Sequence, residues 1–260
     1  MKSYKEVFAD KKRALVPFIV IGDPDYQTSL EIAKRIADSG ADILELGIPF
    51  SDPIADGPII QEADIRALKN GMNTDRAFDF ISDLRKYTDV PIGILCYYNI
   101  IYQYGLDRFY SKASESGINS VLIADAPLEE LPDSLKEVAK NKLDSVLMVS
   151  PLTSDERISP IASKVTGFIY AVSRLGVTGV SSDLHSSTLE LVKRIKKFTD
   201  KPVCVGFGIS KREHVKAVFD AGADGAIVGS AIVKIIEDNL DDKGKMISEI
   251  GKFVKSLKRN

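Results

Sequence analysis

Eight short runs of apolar, largely β-branched residues punctuate the chain: VPFIVI (16–21), DILEL (42–46), VPIGILCY (90–97), NSVLIA (119–124), DSVLMV (144–149), GFIYAV (167–172), KPVCVG (201–206) and GAIVG (225–229). Apolarity without strict alternation predicts strands buried on both faces, as in parallel sheets. Between them lie segments with helical spacing, among them SLEIAKRIADSG and LELVKRIKKFTD, which predict crossover helices. A weak repeat supports this: SGADILELG (39–47), SGINSVLIAD (116–125) and AGADGAIVG (221–229) each end a helix on glycine and enter a strand through a polar residue. Eight βα units in 260 residues predict an α/β fold, a (β/α)8 TIM barrel preceded by an extra N-terminal helix, over an open doubly wound sheet. No linker or low-complexity segment divides residues 1–260, so one domain is expected.

Composition narrows the partners. With 44% hydrophobic residues the chain has enough apolar material for one large core, and its formal charge of −2 is spread over interleaved acids and bases. Nucleic acid and anionic membrane surfaces are not expected to bind. The N-terminal MKSYKEVFADKKRALVPF lacks a signal-peptide h-region, and no apolar run is long enough to span a bilayer, which predicts a cytoplasmic protein. Cys96 and Cys204 sit in apolar runs and read as reduced core residues. Neither His185 nor His214 has an acid or cysteine at ligand spacing, so no metal site is expected.

Catalytic groups of such a barrel lie at the C-terminal ends of the strands. Within DILELG, alternation puts Ile43, Glu45 and Gly47 on one face and Leu44 and Leu46 on the other. If the leucines meet the helices, Glu45 points into the barrel mouth, where desolvation raises its pKa into the range of a general acid or base. The following loop, PFSDPIADGP, is shaped by Pro49, Pro53 and Pro58. Asp52 before Pro53 reads as a turn residue, whereas Asp56 before Gly57 suits a turn or chemistry equally. Near the other end, RLGVTG (174–179), GFGIS (206–210) and VGSAIV (228–233) follow the last three strands. Their glycines, with Ser230 opening a helix, predict a cradle for a phosphorylated small molecule. Phe18, Leu95, Tyr97, Tyr170 and Ile227, at strand ends, predict an apolar, aromatic floor for a flat substrate portion. The aromatic stretch YYNIIYQYG (97–105) suits a pocket wall and a docking patch together.

These segments in this order, VPFIVIGDP, LELGIPFSDPIADGP, PIGILCYYN, IADAPLEE, YAVSRLGVTG, GFGIS and VGSAIV, resemble the tryptophan synthase alpha subunit family along essentially the whole chain. The resemblance implies a lyase that splits indole-3-glycerol phosphate into indole and glyceraldehyde 3-phosphate without metal or Schiff-base lysine. It implies Glu45 and Asp56 as the catalytic acids, Phe18, Leu95, Tyr97, Tyr170 and Ile227 around indole, and Thr178 in a lid. It implies Gly179, Phe207, Gly208, Gly229 and Ser230 around phosphate, and Pro53 and Asn99 facing a beta subunit in an alpha2beta2 assembly. The alpha chain itself then carries no cofactor, pyridoxal phosphate belonging to the beta subunit. Other phosphate-binding barrels share the late cradle but not LELGIPFSDPIADG, and a free-standing indole-releasing lyase remains the other alternative. Two departures from relatives are the lid sequence VSSDLHSS after GVTG and Leu152 in SPLTSDERI.

Overall fold

The computed structural model describes residues 1–9, 13–172, 186–206 and 208–258. Nine parallel strands are present among them: β1 (Ala14–Val20), β2 (Leu44–Gly47), β3 (Ile92–Cys96), β4 (Ser120–Ile123), β5 (Asp144–Ser145), β6 (Leu147–Val149), β7 (Ile169–Val172), β8 (Val203–Gly206) and β9 (Gly225–Val228). Their order, β5-β4-β3-β2-β1-β9-β8-β7-β6, runs round a ring whose two ends are separated in sequence by Val146 alone. Here the expected single strand over 144–149 divides. Its first half pairs with β4 (Ser120↔Asp144) and its second with β7 (Leu147↔Ile169), so the chain itself closes the eight-stranded barrel at Val146.

Before β1 comes α1 (Tyr4–Ala9); between β1 and β3 lie α2 (Tyr26–Asp38), α3 (Pro58–Lys69) and α4 (Thr74–Arg85). After β3 follow α5 (Tyr98–Tyr104) and α6 (Leu106–Glu115), then α7 (Pro132–Lys140) and α8 (Asp155–Lys164) after β4 and β6. The last four are α9 (Ser186–Lys196), α10 (Arg212–Asp220), α11 (Ser230–Glu237) and α12 (Lys243–Lys258). No helix among the described residues is long and apolar enough to cross a membrane.

The threefold repeat has a physical basis. Gly40, Gly117 and Gly222 have φ of +99°, +83° and +101°, the left-handed turn that ends a helix at little cost only for glycine. Two residues on, the polar side chain ties the turn to a strand: Asp42 accepts from the Leu15 N–H (2.8 Å), Asn119 from Ile92 (2.9 Å) and Asp224 from Val203 (2.8 Å). Each repeat therefore satisfies a backbone donor at the lower rim that no strand reaches.

α1 plugs that lower end. The Tyr4 ring meets Phe168 edge-on at 5.5 Å, and its hydroxyl lies 2.6 Å from Ser120 Oγ, buried. Gly93 makes room, because a Cβ there would lie 2.7 Å from the Tyr4 hydroxyl. With the bottom sealed, the upper mouth is where the barrel interior opens.

Candidate active site

On β2, Leu44 and Leu46 are buried among the core residues while Glu45 opens on a cavity at the barrel mouth. The cavity encloses about 510 Å³ of atom-free space, part of it open to solvent. Phe18, Ile60, Leu95, Tyr170 and Ile227 form its apolar wall, and Glu45 and Asp56 its two acids. Pairing of β1 with β2 puts Phe18 directly opposite Glu45. The neighbouring pairing of β7 with β8 brings Gly206 beside Val172, and a Cβ on Gly206 would lie 2.3 Å from the Tyr170 hydroxyl.

Glu45 is 4% exposed, and its Oε2 has no hydrogen-bond partner among the described residues. Burial, and secondly the negative field of Asp56, push its pKa up to about 8. At neutral pH it holds a proton that it can give. Asp56 is 9% exposed and also raised by burial, but the Tyr97 hydroxyl donates to its Oδ2 at 2.7 Å and works the other way. Of the two acids, Asp56 is the one whose carboxylate form receives a hydroxyl donor.

The loop from Pro49 to Gly57 owes its shape to more than proline. Asp56 N–H donates to the Pro53 carbonyl at 3.0 Å, and Gln61 Nε2 donates to the Asp56 carbonyl at 2.7 Å. Tyr97 is buried one step behind the cavity, not in its lining: it accepts from the Ala55 N–H at 3.1 Å while donating to Asp56, and Phe50 stacks on its ring at 5.0 Å. The strand-end position predicts Tyr97 in the pocket floor; instead its hydroxyl is taken up by Asp56 and the Ala55 N–H, because the loop after β2 returns over the end of β3.

The other end of the cavity is lined by Gly208, Ser210, Gly229, Ser230 and Ala231. Ser230 opens α11 directly after Gly229, so the first N–H groups of that helix face the cavity with the positive end of its dipole. The loop before α10 is fixed from behind by His214, whose Nδ1 accepts the Ser210 N–H at 3.3 Å. His214 is buried although its neighbours in KREHVK are mostly charged; its spacing of four from Ser210 was the available signal. Ile60 also lines the cavity and was not anticipated, while Ile209, Ser210 and Ala231 come from the GFGIS and VGSAIV segments without having been singled out. Thr178, Gly179 and Phe207 lie outside the described residues. Pro53, half-buried, and Asn99, exposed, stand outside the cavity on the segments that follow β2 and β3, near Ile54 and Tyr102, which are 76% and 68% exposed. The aromatic stretch therefore divides, Tyr97 inward and Tyr102 outward.

Residues 4–260 match the sequence model of the family described as Tryptophan synthase alpha chain. The tryptophan synthase alpha chain of Methanothermobacter thermautotrophicus is 49% identical over 98% of this chain and 95% of its own length. That of Vibrio vulnificus is 42% identical over 98% of this chain and 96% of its own. Among solved structures, one of the tryptophan synthase a2b2 complex from Pyrococcus furiosus superposes with a TM-score of 0.87 at 39% identity, covering 94% of this chain and 97% of that one.

Proposed function

The chain belongs to the tryptophan synthase alpha chain family, and we propose that its barrel mouth cleaves indole-3-glycerol phosphate to indole and glyceraldehyde 3-phosphate. The observation that carries this reading is one cavity with Glu45 and Asp56 at its apolar end and the start of α11 at the other. An indole ring fits between Phe18, Leu95, Tyr170 and Ile227, and a phosphate suits the N–H groups around Gly229 and Ser230.

Protonated Glu45 gives its proton to indole C3, which turns the ring into an iminium-type electron sink. Asp56 accepts a hydrogen bond from the ring N–H and stabilises the positive charge that develops there. The Glu45 carboxylate then takes the proton of the side-chain hydroxyl next to C3. The C–C bond breaks, its electron pair neutralises the ring, and an aldehyde leaves. The donated proton stays on C3 of indole, the hydroxyl proton restores Glu45, and the cycle closes with no external reductant or oxidant. The chain's own residues supply this acid–base chemistry; pyridoxal phosphate belongs to the partner.

The loop carrying Pro53 and the helix carrying Asn99 form the face that docks a beta subunit, with exposed Ile54 and Tyr102 as apolar contacts. Indole released beside that face passes to the partner, and the assembly works in the cytoplasm. An indole-release assay on indole-3-glycerol phosphate, with and without a beta subunit, tests substrate, reaction and partner together. No indole under either condition refutes the reading; indole at equal rates in both identifies the free-standing lyase.

A further inference from the structure

Asp64 is a buried carboxyl that the cleavage chemistry does not use. It lies on α3 four residues after Ile60, on the same helix face and one turn behind a residue of the cavity wall. It is 4% exposed. Its Oδ1 accepts the Phe50 N–H at a long 3.4 Å, and its Oδ2 has no partner among the described residues. The groups around it are Asp56 from the loop after β2, Asp23 from the segment after β1, and the Tyr97 hydroxyl at the end of β3. Of the two cations on its own helix, Arg66 is committed to Asp23 through bonds of 2.7 and 3.0 Å, and Lys69, at the helix end, is exposed.

Asp56 and Asp64 thus share a poorly solvated space with unequal support. Asp56 receives a 2.7 Å hydroxyl donor, Asp64 only a long backbone one. Two neighbouring carboxyls in such a space do not both ionise at neutral pH, and the better hydrogen-bonded one keeps the charge. Burial first and Asp56 second push Asp64 up to about 8, in keeping with that division. A backbone link runs the same way: Asp64 holds Phe50, Phe50 stacks on Tyr97, and Tyr97 holds Asp56.

We propose that Asp64 is a positioning residue for the cleavage: it keeps the proton of the Asp56–Asp64 pair and pins Phe50, so that Asp56 alone presents a negative charge to the indole N–H. This rests on the reading of Asp56 given above. Ionisation of Asp64 at alkaline pH puts a second charge behind Asp56 and works against the arrangement.

The test compares Asp64→Asn and Asp64→Leu with the wild-type chain in indole release. Asp64→Leu removes the acceptor for Phe50 and lowers kcat about tenfold at neutral pH, while Asp64→Asn, which keeps an oxygen acceptor, restores most of it. Above pH 8 the wild-type log kcat falls with a slope approaching about −2, because Glu45 and Asp64 both lose protons, and that of Asp64→Asn with about −1. Equal slopes, or wild-type kcat in Asp64→Leu, overturn the proposal. Carboxyl ¹³C NMR reads the same point without turnover and serves if Asp64→Leu does not fold. Asp64 is then protonated at pH 7 and titrates at lower pH in Asp56→Asn, whereas an ionised Asp64 at pH 7 overturns the proposal. Absence of any indole release from the wild-type chain refutes the proposed function instead, so the two failures are distinguishable.

Discussion

Replacing Glu45 with Gln trades activity for stability, and the trade depends on pH. Glu45 is buried, lacks a partner for Oε2 and has its pKa pushed from 4.5 up to about 8. Between those values the unfolded chain has released a proton that the folded chain still holds, so folding is progressively disfavoured as pH rises from 4.5 to 8. At about 1.4 kcal/mol per pH unit the ceiling is about 5 kcal/mol, and water entering the cavity brings a realistic value to about 2–3 kcal/mol. Gln is neutral at every pH and escapes this penalty. Any cost of burying its amide is independent of pH and cancels when two pH values are compared. Thermal unfolding should therefore show a Tm gap between Glu45→Gln and wild type that is about 5–10 °C larger at pH 9 than at pH 4.5. Indole release should fall about 10³-fold, because the proton donor is gone while the cavity keeps its shape. A Tm gap that is the same at both pH values would refute the claim that Glu45 is held neutral by burial.

Three further outcomes are expected. Tyr97→Phe removes the hydroxyl that favours the Asp56 carboxylate, so the acid limb of the indole-release pH profile should move to higher pH and kcat should fall about tenfold. Gly206→Ala places a Cβ 2.3 Å from the Tyr170 hydroxyl and 2.4 and 2.5 Å from two of its ring carbons, and should destabilise the protein by about 1–3 kcal/mol in urea unfolding, a cost that Tyr170→Phe, which keeps those ring carbons, leaves largely in place. Ser230→Asp sets a negative charge at the start of α11, and KM for indole-3-glycerol phosphate should rise at least about tenfold with the circular dichroism spectrum retained.

The amino-acid sequence by itself determined the βα alternation, the eight barrel strands and the inward side of β2, because burial on both faces and a period of two leave direct marks on the order of residues. It also determined Glu45 as an acid at a strand end and the glycine-flanked start of α11. What Asp56 would do stayed open on residue chemistry alone, since Asp before Gly serves a turn as well as a site. Only the tertiary structure placed it, by folding the loop back so that Asp56 lines the cavity and Tyr97, forty-one positions away, donates to it. The same holds for Asp64, an unremarkable acid in a helix until packing strips it of water and sets Asp56 before it, and for His214, which reads as a surface residue until α10 turns it inward. Local periodicity records which face of an element is buried; it does not record which side chains from distant elements share that buried space, and the protonation of each acid is set by those neighbours.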